Sequence, residues 1–323
     1  MIANLPVIDL SDLSQYNSTK LAQAASKTGV VLLKNHFLTQ KDIKALVLLA
    51  KQFFDLPPDI KETHKITKEN YGYIGPFVEN LDIHSATGVG DAKEAFNITN
   101  FNLCTFKPQQ PLPSVFKDNL VFLSLCLRKY YVLLHTVCRM LAIGLNIKDS
   151  KGLPNHEYFV DAHALDLKSH STLRFVHYPE PDKVDGSSVS SAGAHTDYGS
   201  MTFVLGTNQG LQIFDGNEWL DVEVPTQKDG SPFLVLNIAD VLNFWTNGYL
   251  KSAIHRVRAT QERYAIVFFC HPGDGVLLNP VNSKIVKEFK GNRFDIDNNG
   301  YTLTALEHLY LCLRRTYKDK NDS

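Results

Sequence analysis

Apolar residues recur at helical spacing through the first half of the chain and in short strand-like runs through the second. Residues 18–28 read as a helix starting near Ser18 and stopping at Gly29, followed by "VVLLK" (30–34), a short aliphatic strand. From Thr39 to Phe54, Ile43, Leu46, Ala50, Phe53 and Phe54 fall on one helical face. "LPP" then ends that helix, because proline has no N–H to continue the ladder. Residues 57–112 are mixed and rich in turn formers. Ser114 is placed to cap a long helix running to about Gly144, and a shorter helix is expected over 155–166.

After residue 170 the period changes. "STLRFVHY", "SMTFVL", "LQIF", "WLDVEV", "FLVLNI", "SAIHRV" and "YAIVFFC" are short apolar runs separated by Gly, Asn, Asp or Pro. Such closely spaced strands predict a jelly roll or barrel. Residues 180–193 read as a polar loop rather than a linker, since strands lie on both sides. The segment 302–316 reads as a final helix packed back on the body.

Composition narrows the class of partner. A chain of 323 residues, 44% hydrophobic, can bury a full core. A formal charge of −1 gives no electrostatic footprint for nucleic acid or an anionic membrane, so a small-molecule partner is expected and no protein partner is implied. The five cysteines, Cys104, Cys126, Cys138, Cys270 and Cys312, have no CxxC spacing and point to neither a disulfide framework nor a zinc site. A reducing cytoplasm fits them. "MIANLPVIDL" does not read as a secretion signal, and residues 120–145 carry Arg128, Lys129, His135 and Arg139, which suits a helix rather than a membrane span.

Candidate chemistry lies in "SAGAHTDYGSMTF" (191–203). If this segment is a strand, His195 and Asp197, two apart, point to one face and reach one metal ion. Roughly one His-x-Asp is expected by chance in such a chain, so a third ligand is needed. His255, on a later predicted strand, supplies it if sheet pairing joins the two strands. Two histidines and one carboxylate on one face of an octahedron leave three positions open, the arrangement of non-haem Fe(II) oxygenases. Arg263 starts the next strand and requires an anionic partner if buried, which a dicarboxylate co-substrate would supply.

An ordered series of motifs carries a family resemblance through most of the chain: "LPVIDLSDL", "GVVLLKNHFLT", "FFDLPPDIKE", "LRFVHYPEP", "AGAHTDYGSMTFV", "GLQIFDGNEWLDVEV", "LVLNIADVLNFWTNGYLKSAIHRV" and "RYAIVFF". The chain resembles the Fe(II)- and 2-oxoglutarate-dependent dioxygenases of the isopenicillin-N-synthase-like family. Its "RFVHYP" is similar to fungal and bacterial members such as thymine 7-hydroxylase. The resemblance implies an α+β fold, mainly β at its core: a double-stranded β-helix (jelly roll) with an N-terminal helical region packed on it. Residues 1–169 would form the N-terminal strand and helix region and 170–323 the jelly-roll core with its C-terminal helix, as one structural unit.

The same resemblance makes His195, Asp197 and His255 the Fe(II) ligands and catalytic centre. It makes Arg263 the salt-bridge partner of 2-oxoglutarate, with Tyr178 bonding the same carboxylate. O2 is then the other co-substrate, and a C–H bond of a small organic molecule is hydroxylated, desaturated or cyclised with release of succinate and CO2. Tyr73, Phe77, Asn80, Phe96, Tyr198 and Phe269 are the substrate-lining candidates, and an aromatic, largely uncharged lining would favour a planar or apolar molecule. One position departs from the family: Arg-x-Ser becomes Arg263-x-Ala265. A lost hydroxyl to a carboxylate costs on the order of 1.5–3 kcal/mol. That departure leaves open an Fe(II) oxidase that does not use 2-oxoglutarate, and a non-catalytic binding protein is the third reading.

Overall fold

The computed structural model describes residues 1–81, 90–99, 101–102, 105, 107–180, 191–291 and 302–317. Most of the polar loop expected at 180–193 lies outside the described residues, as does Cys104. The chain opens with β1 (Val7–Asp9), which pairs in parallel with β2 (Val30–Lys34) across the intervening helix α1 (Gln15–Lys27). Helix α1 starts a turn before the expected Ser18, because the Ser14 hydroxyl accepts the Asn17 N–H and caps it there. Helix α2 (Gln40–Phe54) keeps its expected limits, and Thr39 and Asp42 close its start as a reciprocal capping box.

The mixed region contains α3 (Pro58–Glu62), β3 (Gly72–Ile74), β4 (Glu94–Ile98), β5 (Phe101–Asn102) and β6 (Lys107–Pro108). The long helix expected from Ser114 is two, α4 (Ser114–Lys117) and α5 (Leu120–Gly144). Asn119 leaves helical geometry between them (φ −111, ψ 20), and its side-chain amide donates back to the Val115 carbonyl. Helix α6 (Tyr158–Ala162) is shorter than expected. It stops where His163 turns away (φ −112, ψ 26), its Nδ1–H donating to the Phe159 carbonyl and its Nε2 accepting from the Ser200 hydroxyl.

The later elements are β7 (Thr172–Tyr178), β8 (Ala192–His195), β9 (Met201–Gly206), β10 (Leu211–Phe214), β11 (Trp219–Asp221), β12 (Leu234–Ile238), α7 (Asp240–Trp245), β13 (His255–Val257), β14 (Arg263–Cys270), α8 (Lys284–Lys287) and α9 (Ala305–Tyr317). They build the expected jelly roll. Its large sheet runs β1-β2-β12-β9-β14-β7-β4-β3 and its small sheet β11-β10-β13-β8. The large sheet therefore draws β1 to β4 from the first 169 residues and its other strands from the rest.

Strand alternation divides the core in two. On β14, Ala265 and Val267 face the small sheet, where they pack with Val176, Val235, Leu211 and Val257. Tyr264, Ile266 and Phe268 face the helices instead, with the Phe268 ring 5.1 Å from Tyr130 and 5.5 Å from Tyr131 of α5. Helix α5 is long and apolar enough to cross a membrane by length and composition. Here Leu127, Leu134, Val137 and Leu141 are buried against the large sheet and its neighbouring helices.

Two histidines beneath this core, His163 buried and His271 half-buried, give it a pH dependence. Desolvation lowers His163 to about 4 and His271 to about 3. Below pH 6.5 the unfolded chain takes up protons that the folded chain refuses until those values, so stability present at pH 7.5 is lost as the pH falls. Thermal melts between pH 7.5 and 4.5 are expected to show that loss, with His163 contributing roughly 2–3 kcal/mol of it. The acid slope should flatten in His163→Gln, and an unchanged slope would place the sensitivity elsewhere.

Candidate metal centre

Strands β8 and β13 pair antiparallel with His195 and His255 as direct partners, which puts the two imidazole centres 4.3 Å apart. A register shift separates that pair from Val257 and Ala192, a bulge that re-aims the end of β8. Asp197 reaches the site differently from the expectation of a single strand. Strand β8 ends at His195, and Asp197 sits in the turn before β9. Backbone bonds from Asp240 N–H to the Asp197 carbonyl and from Val241 N–H to the Gly199 carbonyl pin that turn at 2.9 Å each. Gly199 is required there, since a Cβ would lie 2.3 Å from the Cys270 carbonyl oxygen.

The three donors converge. Asp197 Oδ1 is 3.7 Å from His195 Nε2 and 3.7 Å from His255 Nε2, and all three donor atoms lie within 4.8 Å of one another. Each imidazole is oriented through its other nitrogen. His195 Nδ1–H donates to the Gly193 carbonyl at 2.8 Å and His255 Nδ1–H to the Ala253 carbonyl at 3.0 Å, so both present Nε2 to the site. Burial and the adjacent His255 push His195 down to about 4, leaving its Nε2 lone pair available at neutral pH. Asp197 is held low by His255 and His195 in spite of its burial. Two oriented imidazole nitrogens and an ionised carboxylate suit a divalent cation with open positions.

Arg263 lies in the same cavity and is 3% exposed. Its Nε–H donates to the Asn208 carbonyl at 3.0 Å, its Cζ is 5.0 Å from the centre of the Tyr178 ring, and Nη1 has no partner among the described residues. Burial lowers its pKa, with Tyr178 opposing. Gly206 makes room for it: a Cβ there would stand 2.5 Å from Nη2. Ala265, which faces Gly206 across the strand pair, lines the cavity and offers no hydrogen bond. A second cavity, of about 610 Å³, is also lined by Arg263 and by none of the three metal donors.

The substrate candidates separate. Phe269 lines the cavity. Tyr73 and Phe96 do not: they are cross-strand partners on the helix side of the large sheet, packed around Phe53, while Ile74 and Ala95 take the inner face. Phe77 is 45% exposed with φ 63. Asn80 and Tyr198 are half-buried and outside the lining.

Lys93 and Arg174 line the cavity instead, so its wall is not the uncharged aromatic one expected. Lys93 Nζ lies 2.7 Å from Asp91 and 3.1 Å from Glu79, and Arg174 donates twice to Glu79 at 3.2 Å. Burial works against charge on Lys93, yet Glu79 and Asp91 outweigh it and raise its pKa. Asp91 also accepts the Gly193 N–H at 2.8 Å, tying this network to the residue that orients His195. The two-residue period of "RFVHY" could have found Arg174, which shares a face with Val176 and Tyr178.

Fold and donors together describe a jelly-roll protein in which two histidines and one carboxylate are grouped so that they could hold a metal ion. The 2OG-Fe(II) oxygenase superfamily model matches residues 169–272, and the model for the N-terminal region of non-haem dioxygenases in morphine synthesis matches residues 5–114. The UPF0676 protein C1494.01 of Schizosaccharomyces pombe is 32% identical over 296 residues, 86% of this chain and 84% of that protein. The 2-oxoglutarate-dependent dioxygenase gloE of Glarea lozoyensis is 26% identical, over 91% of this chain and 87% of its own. The full-length thymine 7-hydroxylase of Neurospora crassa, solved with alpha-KG and thymine, superposes with a TM-score of 0.76 at 21% identity, covering 98% of this chain and 97% of its own, a likeness of fold. A 2-oxoglutarate-Fe(II) type oxidoreductase of Aspergillus fumigatus is 30% identical over 82% of this chain and 81% of its own, and the chain belongs to the 2OG-Fe(II) oxygenase superfamily. It is an Fe(II)- and 2-oxoglutarate-dependent dioxygenase, an oxidoreductase with O2 as the other co-substrate.

Equilibrium dialysis against Fe(II) under anaerobic conditions is expected to give one ion per wild-type chain. Asp197→Ala and His255→Ala should each weaken binding by roughly a hundredfold or more, beyond the loss seen for outer groups that merely orient a ligand. Retention of full affinity in both would remove these residues from the metal site.

Proposed function

We propose that His195, Asp197 and His255 hold the Fe(II), and that Arg263, beside Tyr178, receives the far carboxylate of 2-oxoglutarate. One observation carries this reading: a buried guanidinium whose Nη1 has no partner among the described residues stands in the same cavity as the three metal donors. Desolvating such a cation without an anion is costly, and a dicarboxylate chelated at its other end supplies the missing charge. Bound together, Fe(II), 2-oxoglutarate and O2 supply an oxidant for a C–H bond, with succinate and CO2 released.

The protein's own groups set the conditions for that chemistry. The carbonyls of Gly193 and Ala253 fix the imidazole tautomers, so both Nε2 atoms face the cation without a proton. Asp240 accepts from the Thr196 hydroxyl at 3.0 Å and holds the turn bearing Asp197. Val204, Leu211, Val257 and Val267 wall the cavity with apolar surface and limit water around the reacting groups. The substrate is a small organic molecule. Whether it is hydroxylated, desaturated or cyclised follows from where its C–H bonds lie relative to the metal. Buried thiols at Cys126, Cys138 and Cys270 support a cytoplasmic setting.

Anaerobic titration of the Fe(II) protein with 2-oxoglutarate is expected to give a saturable visible charge-transfer band. Arg263→Ala removes one partner of a buried charge pair and should weaken that binding by roughly 2–5 kcal/mol, about thirtyfold to several thousandfold. Gly206→Val, which displaces the guanidinium, should shift the same titration without altering Fe(II) binding. Unchanged affinity in both variants would move the co-substrate away from Arg263.

A further inference from the structure

Two cations that the co-substrate does not use, Lys93 and Arg174, line the cavity beside the metal donors, each ion-paired to a carboxylate outside the lining. The cavity's charged lining residues are Lys93, Arg174 and Arg263 against Asp197 alone. Under the reading above, Fe(II), Asp197 and Arg263 together carry two positive charges, which the two carboxylates of 2-oxoglutarate cancel. Lys93 and Arg174 are then the lining cations without a role toward the co-substrate. Their counter-charges, Asp91 and Glu79, stand behind them and do not line the cavity.

Hydrogen-bond capacity points the same way. Arg174 commits Nε to Asn97 Oδ1 at 2.7 Å and one N–H from each Nη to Glu79, leaving two of its five donors. Lys93 commits two of its three donors, to Asp91 and Glu79. Among the described residues, three N–H donors therefore remain at a wall that is 4% exposed at Lys93. Phe269 stands beside them, its ring centre 5.5 Å from Arg174 Cζ, and Leu81, Val176 and Val267 complete an apolar neighbourhood.

We propose that Lys93 and Arg174 are specificity-determining residues that take the carboxylate of an acidic small-molecule substrate with an apolar body, Glu79 being the internal carboxylate with which that group competes. The inference rests on the assignment of this cavity as the active site. A carboxylate accepts the leftover donors from both cations at once, whereas a matched neutral amide gains only ordinary hydrogen bonds and loses the charge assistance. Binding at this pair also leaves Arg263 to the co-substrate, so acid and 2-oxoglutarate bind together.

The test uses the full chain with Fe(II) and saturating 2-oxoglutarate, without O2, and phenylacetate and phenylacetamide as probes. Binding is read as a perturbation of the charge-transfer band. Phenylacetate is expected to bind at least tenfold more tightly than phenylacetamide in the wild type. That preference should fall to twofold or less in Arg174→Gln, and Glu79→Gln should tighten phenylacetate at least fivefold by removing its competitor. Absence of any preference in the wild type, including no binding of either probe, overturns the proposal without a variant. So does a preference that survives Arg174→Gln, or an unchanged affinity in Glu79→Gln. Abolition of the band by phenylacetate would place the acid at Arg263 and also overturn it. Failure to form the band with 2-oxoglutarate alone would instead reject the reading on which the inference rests.

Discussion

The two-residue period of the β-strand governs this structure, because the groups arranged for chemistry stand on or beside strands whose other face is committed to a hydrophobic core. On β14 the same eight residues supply Tyr264, Ile266 and Phe268 to the helical layer and Arg263, Ala265 and Phe269 to the cavity side. On β7, Leu173 and Phe175 pack outward while Arg174, Val176 and Tyr178 line the cavity. A slip of one residue in either strand would bury the arginines among leucines and phenylalanines and expose the aromatic core to the site. Burial of the helical layer therefore fixes the register, and the register fixes the site.

The metal centre needs more than that period. His195 and His255 meet because β8 and β13 are neighbours in the small sheet, a pairing between residues sixty positions apart. Asp197 joins them from a turn held by the start of α7, where Asp240 and Val241 donate backbone N–H groups to it. Further out, the Asp91 carboxylate ties Gly193 to Lys93 and through Lys93 to Glu79 and Arg174. The candidate metal donors and the proposed acid-binding wall thus share a chain of polar contacts through Gly193 and Asp91, while Arg263 stands apart from it, bonded to the Asn208 carbonyl, in an apolar frame where each unpaired charge would be expensive. Ala265 lines the Arg263 end of the cavity without a hydrogen-bonding group, which leaves the guanidinium and Tyr178 as the polar side chains beside it.

Much of this was legible from the residues themselves. The strand runs after residue 170, the helix bounded by Thr39 and "LPP" and the start of β14 at Arg263 follow from local patterns, since side-chain alternation and capping are decided within a few residues; His195, Asp197 and His255 were legible as residue types in a motif, but strand alternation does not place Asp197, which lies beyond the end of β8. Where local signals were ambiguous the boundaries moved. Ser14 rather than Ser18 caps α1, and Asn119 splits a helix whose apolar period continues through it.

What the sequence could not decide was which side chains share a wall. Tyr73 and Phe96 carry the right chemistry for a substrate pocket, yet their strands present them to Phe53 and the helices. Nothing local marks Lys93, and the period of "RFVHY" puts Arg174 on the face of Val176 and Tyr178 without saying what that face meets. The pairing of β4 with β7, which places Asn97 opposite Arg174, brings them to one cavity with Glu79 and Asp91 behind. The candidate metal donors are visible in the sequence as residue types within motifs, though their convergence depends on the pairing of β8 with β13 and on the turn held by α7. The composition of the wall around them is set by sheet order and register, which depend on how distant segments bury their apolar faces together, and only the tertiary structure contains that.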